Sequence, residues 1–80
     1  MFYGTSWCGD CWRASKIFER LKVPYQYVDI DRDEDASDLV QQINRGYRSV
    51  PTIVFPDGEV MVEPPNLHLL RKLNQFIADR

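Results

Sequence analysis

Cys8 and Cys11 are the residues of this chain best suited to covalent chemistry, and only Gly9 and Asp10 separate them. A cysteine reacts as its thiolate, so the pair matters if its surroundings favour negative charge on one sulfur. A CxxC segment at the start of a helix meets that condition. Free backbone N–H groups and about half a positive charge collect at a helix N-terminus. Cys8 is expected in the cap region and Cys11 one turn deeper on the same face. The sulfurs can then approach bonding distance while Cys8 alone meets solvent, so Cys8 is expected to attack and Cys11 to resolve. Two other uses of the pair fit the sequence less well. A disulfide closing so short a loop restricts the unfolded chain little. Zinc wants four protein ligands in a structural site, and the chain holds two Cys and one His, with His68 far along the sequence.

The neighbours of the pair refine this reading. Gly9 allows a substrate to approach the backbone closely. Asp10 sets a carboxylate between the sulfurs, where it would oppose a thiolate or, solvated, simply favour the helix start. Trp7 is expected to shield the site or to pack in the core; Trp12 lies beside the site or caps the first helix. Far along the chain, Ser49-Val50-Pro51-Thr52 brings a proline to the mouth of a strand, where it cannot donate to the ladder. A cis Val50–Pro51 bond would explain it, by presenting the Val50 N–H and C=O to an extended substrate beside Cys8. Arg48 either contacts an anionic group of that substrate or covers the second helix.

The elements that must position these residues follow from periodicity. Met1 to Gly4 can begin a short first strand. Ala14, Ile17, Phe18 and Leu21 recur at helical spacing within Cys11 to Lys22, and Val23-Pro24 ends that helix. Tyr25 to Ile30 is rich in β-branched and aromatic residues and reads as a strand. The acidic run Asp29 to Asp35 reads as a solvated loop leading into a second helix with Ala36, Leu39, Val40 and Ile43 inward and Gly46 as its C-terminal cap. Thr52–Phe55 and Glu59–Glu63 form a hairpin about Pro56-Asp57-Gly58. Asn66 then caps a last helix that carries Leu67, Leu70, Leu73, Phe76 and Ile77 inward. The predicted order β-α-β-α-β-β-α gives an α/β fold, a four-stranded mixed sheet with three helices on its two faces.

Composition narrows the function classes. With 80 residues, 44% apolar and 28% charged, residues 1–80 read as one small folded domain. A net charge of −2 argues against a nucleic-acid surface, which needs clustered Lys and Arg. No apolar run approaches the roughly 20 residues of a membrane span, and no signal peptide is visible. A cytoplasmic monomer is therefore expected.

Thr5-Ser6-Trp7-Cys8-Gly9-Asp10-Cys11, then Arg13 and Lys16, then Gly46-Tyr47-Arg48-Ser49-Val50-Pro51-Thr52, resemble a glutaredoxin of the thioredoxin superfamily. Among glutaredoxins the chain is most similar to the mycoredoxins. The likeness runs from the first residue to the last helix. It implies a thioredoxin fold, a cis Pro51, a nucleophilic Cys8, a resolving Cys11, and substrate contacts from Arg48 and Val50. The activity it implies is reduction of protein disulfides or of mixed disulfides with low-molecular-weight thiols. Such a protein holds no bound cofactor and is regenerated by mycothiol, glutathione or a similar thiol, or by a flavin disulfide reductase. Glutathione-using relatives carry Pro-Tyr where this chain has Gly9-Asp10. They also carry a Gly-Gly and Asp-rich stretch where it has Glu63-Pro64-Pro65-Asn66, so mycothiol or a protein thiol competes as the partner. Two alternatives share the scaffold: an electron donor dedicated to a reductase such as ribonucleotide reductase, and an iron–sulfur carrier with a cluster held by Cys8 and an external thiol.

Overall fold

Four short strands run side by side in the order β2-β1-β3-β4. The computed structural model describes residues 1–78. Its elements are β1 (Phe2–Gly4), α1 (Gly9–Arg20), β2 (Tyr27–Asp29), α2 (Glu34–Ile43), β3 (Thr52–Val54), β4 (Val60–Val62) and α3 (Asn66–Ala78). β1 pairs parallel with β2, reached through the α1 crossover, and antiparallel with β3. β3 and β4 form the expected hairpin, with Gly58 at φ +91° in the turn. This is the βαβαββα arrangement of the thioredoxin and glutaredoxin fold, with its mixed sheet and three helices.

Strand alternation decides which helix covers which face. Phe2 lies opposite Ile53, and both border a hollow shared with Phe18 of α1 and Leu73 of α3. Their neighbours Tyr3 and Thr52 point the other way, and Thr52 Oγ1 accepts the side-chain N–H of Asn44 at the end of α2. α1 and α3 thus share one face and α2 covers the second. Phe2 is fully buried, edge-on to Phe18 (ring centroids 5.7 Å) and stacked on Tyr27 (5.1 Å).

The strands are shorter than their sequence signals, because pairing at their ends thins to single backbone bonds, as from Phe55 N–H to Glu59 and from Glu63 N–H to Pro51. α1 starts at Gly9, two residues before its apolar stripe, because Cys8 caps it. Both α1 and α2 end in left-handed turns built on charged residues rather than glycine. Lys22 and Arg45 each have φ 57°, and the amides of Val23 and Gly46 close back on Phe18 and Gln41 carbonyls. Gly46, at φ +99°, is one residue beyond the position expected of a cap.

α3 corrects the inward face read from the sequence. Leu69 and Leu73 are buried with Phe76 beside them, whereas Leu67 and Ile77 are exposed. Asn66 is the first helical residue rather than the cap, and the Pro65 carbonyl takes the first helical N–H, from Leu69. The deciding side chain is Lys72, buried on the core-facing stripe. Its ammonium reaches Asp57 and Glu59 in the hairpin turn at 2.5 and 3.0 Å and lies over the rings of Phe55 and Phe76. A stripe containing a lysine is invisible to a pattern built from apolar residues alone. Leu39 of α2 is likewise more exposed than expected, whereas the small Ser37 is buried and meets Gln41 and Arg48.

Candidate functional site

Cys8 is the N-cap of α1, with extended backbone (φ −85°, ψ 111°). Its sulfur occupies the place an Asp or Ser oxygen usually takes in a cap and accepts the Cys11 N–H at 3.0 Å. That bond and the positive end of the helix dipole both converge on Cys8 Sγ. On its other side the Cys8 thiol donates weakly to the Val50 carbonyl, 3.8 Å away. The Val50–Pro51 bond is cis, as the strand-mouth proline suggested, and it turns that carbonyl towards the cysteine. Pro51 is buried below, and its own carbonyl accepts the Glu63 N–H at 2.8 Å.

Cys11 is the opposite case. One turn deeper, it is 1% exposed, and burial pushes its thiol from the ordinary 9.0 up to about 12, with the neighbouring Cys8 adding to the rise. Both cysteines are free thiols. The chain makes room for Cys11 at Gly4, where a Cβ would sit 2.9 Å from Cys11 Sγ and 2.6 Å from the Tyr27 hydroxyl. Gly4, Tyr27 and Thr5, whose carbonyl accepts the Tyr27 O–H at 2.8 Å, form the floor beneath the pair. Sequence reasoning missed all three. Their one visible signal is that Gly4 and Thr5 run directly into the CxxC segment.

A groove of about 540 Å³ opens over Cys8. Trp7 and Gly9 form one bank and Tyr47, Arg48 and Val50 the other, with Asp10 and Glu63 at the rim. Six of the residues singled out from the sequence therefore meet Cys8 here: Trp7, Gly9, Asp10, Arg48, Val50 and, beneath them, Pro51. Trp7 is 71% exposed, so it does not pack in the core. Trp12 lies outside the groove, exposed on α1 with the Lys16 ammonium 5.4 Å from its ring centre. Asp10 takes Arg13 as an ion partner at 3.1 Å, which offsets its charge beside the sulfurs.

Arg48 has both positions the sequence left open. Its guanidinium binds Ser37 Oγ on α2 at 3.1 Å and Asp31 Oδ1 at 2.7 Å, while its flank lines the groove. Asp31 also accepts the Trp7 indole N–H at 2.8 Å. Arg48 first, and Trp7 after it, hold the Asp31 carboxyl below the usual carboxylate range. Asp31 thus joins the loop before Cys8 to the loop before Pro51. Two more carboxylates of the acidic run are engaged: Asp33 caps α2 through the Ala36 N–H, and Asp29 accepts the Asp31 N–H. His68 is exposed on α3 and takes no part.

With this geometry the family can be decided. Residues 1–61 match the Glutaredoxin family, and they contain the CxxC, the cis proline and every residue of the groove's two banks. The chain belongs to the glutaredoxin family. It is similar to a protein of Mycobacterium tuberculosis named as a glutaredoxin, 39% identical over 62 residues that cover 78% of this chain and 74% of that one. It is also similar to mycoredoxin 1 of Corynebacterium glutamicum, 32% identical over 71 residues, 89% of this chain and 87% of that protein. A thioredoxin of Borreliella burgdorferi is 38% identical over 60 residues, 68% of this chain and 46% of its own length. Glutaredoxins are thiol–disulfide oxidoreductases, and the Cys8–Cys11 pair makes this chain a redox protein of that family. No helix among the described residues is long and apolar enough to cross a membrane.

Proposed function

We propose that the chain is a thiol–disulfide oxidoreductase that reduces mixed disulfides, with Cys8 as nucleophile and Cys11 as resolving thiol. The unequal placement of two sulfurs three residues apart carries this reading. Cys8 thiolate attacks a disulfide R–S–S–R′, forms Cys8–S–S–R and releases R′–S⁻. Cys11 then attacks Cys8 Sγ, which forms the Cys8–Cys11 disulfide and releases R–S⁻, protonated to R–SH. Alternatively an external thiol attacks the adduct and frees Cys8 directly. Two equivalents of a low-molecular-weight thiol return the Cys8–Cys11 disulfide to the dithiol. The groove receives the R group, and the Val50 carbonyl and amide flank it as an extended chain would require.

The charges favour mycothiol over glutathione as the thiol. Glutathione carries two carboxylates, whereas mycothiol is a neutral, hydroxyl-rich conjugate. Arg48, the one cation lining the groove among the described residues, is already held by Asp31, and Glu63 adds negative charge at the rim. Similarity to a protein named mycoredoxin 1 points the same way. The test is the mass gained by Cys8 in Cys11→Ser protein, where the adduct cannot be resolved, after separate exposure to glutathione, mycothiol and bacillithiol disulfides. A mycothiol adduct forming at least about tenfold faster than the glutathione adduct is expected. Equal rates would remove the charge argument, and no adduct with any of the three would remove the enzymatic reading.

A further inference from the structure

Resolution by Cys11 meets a physical obstacle. The attacking species is a thiolate, yet Cys11 is buried and its thiol holds its proton tightly. Something must receive negative charge on that sulfur when the mixed disulfide forms above it. Tyr27 is the side chain placed to do so. Its ring stacks on Phe2 with centroids 5.1 Å apart, which fixes the phenol beneath α1. Its oxygen and Cys11 Sγ converge over the bare Cα of Gly4, at 2.6 and 2.9 Å from the point a methyl would occupy. In the reduced protein the phenol's one proton is committed to the Thr5 carbonyl at 2.8 Å. The Thr5 N–H also faces Cys11 and favours its thiolate.

Resting on the resolving role given to Cys11 above, we propose that Tyr27 is a switchable hydrogen-bond donor to the resolving thiol. While Cys11 is protonated, the phenol donates to Thr5. As Cys11 attacks Cys8 Sγ, the phenol rotates its O–H from the Thr5 carbonyl to the developing thiolate. The Cys11–Cys8 bond forms, the Cys8–S–R bond breaks, and the proton given up by Cys11 ends on the departing R–S⁻. Tyr27 keeps its own proton throughout. Burial and the adjacent cysteines push its hydroxyl well above the ordinary range, so it stays a donor at every working pH. Gly4 is then the residue that lets donor and thiol meet.

The test is single-turnover release of R–SH from the preformed Cys8 adduct, followed from pH 6 to 9 in the wild type and in Tyr27→Phe, which retains the stacked ring. A hydrogen bond to a charged group is worth at least about tenfold in thiolate population. Tyr27→Phe is therefore expected to release R–SH about tenfold more slowly across the range. Replacing Tyr27 with 3-fluorotyrosine, a stronger donor of nearly the same shape, is expected to speed release beyond the wild type. Release by Tyr27→Phe within twofold of wild type overturns the proposal, and so does a slowing in both variants alike, which would mark a packing role. Failure of wild type itself to release R–SH would instead strike the resolving role of Cys11.

Discussion

The mouth and the floor of the site hold the same functional group in opposite surroundings. Cys8 caps a helix, accepts an amide proton and opens on a groove. Cys11, one helical turn below, is enclosed by Gly4, Thr5 and Tyr27. Covalent structure alone makes the two thiols equivalent, so their different chemistry comes from one turn of helix and the burial it brings. A surface pair would have two similar nucleophiles. A deeply buried pair would have none at neutral pH, because desolvation penalises the thiolate in both.

The largest expected effect comes from exchanging the roles. Cys8→Ser removes the nucleophile and should lower turnover of a mixed disulfide by more than about a thousandfold, to background. Cys11→Ser should still attack and should accumulate the Cys8 adduct, visible by mass. Turnover by Cys11→Ser in excess thiol measures the route that bypasses resolution, and its complete loss would show that every turnover passes through Cys11.

Glycine substitutions probe the same contrast through packing. At Gly4 an added methyl meets Tyr27 and Cys11 inside 3 Å, so Gly4→Ala should destabilise the fold by about 1–3 kcal/mol in urea unfolding. At Gly9, on the groove bank, nothing lies within 4 Å of the added atom. Gly9→Ala should change stability by less than about 1 kcal/mol, towards greater stability. Equal costs at the two positions would mean that floor and mouth are packed alike.

Titration gives a smaller effect with a definite sign. An unfolded Cys11 thiol loses its proton near pH 9.0, while the folded one keeps it to about 12. Between those values the unfolded chain binds fewer protons, so the reduced protein loses stability as pH rises, by about 1–1.5 kcal/mol at pH 10 relative to pH 7. The oxidised protein has no thiol to titrate and should lack this component. Parallel stability curves for the two forms would place Cys11 in water.

The smallest expected change is at the clasp between the two loops. Asp31→Asn weakens the contacts to Arg48 and to the Trp7 indole, and a shift in Trp7 fluorescence with little change in melting temperature is expected. In Trp12→Phe protein the signal belongs to Trp7 alone. No shift would show that the indole is held by something other than Asp31.

These comparisons also show what the sequence could express. Helical spacing, turn residues and the CxxC segment specify local structure, so the element order and the unequal cysteines were legible, while the cis proline was suggested by its place at a strand mouth and implied by the family resemblance. The clasp and the floor were not. Trp7 meets Asp31 across 24 residues and Tyr27 meets Thr5 across 22, and neither pair leaves a mark in spacing. Asp31 looked like one of several solvated carboxylates, and Tyr27 like an ordinary strand aromatic. α3 was misjudged for a related reason: Lys72 lies on its buried stripe because Asp57 and Glu59, distant in sequence, receive its charge.

The difference between the two sulfurs can be measured directly. Reduced protein treated at pH 7 with one equivalent of iodoacetamide, then digested and mapped by mass, reports which thiol reacts. Label on Cys8 at least about tenfold above Cys11 is expected, because one thiol is at the groove and the other is buried and protonated. Equal labelling, or label first on Cys11, would contradict it.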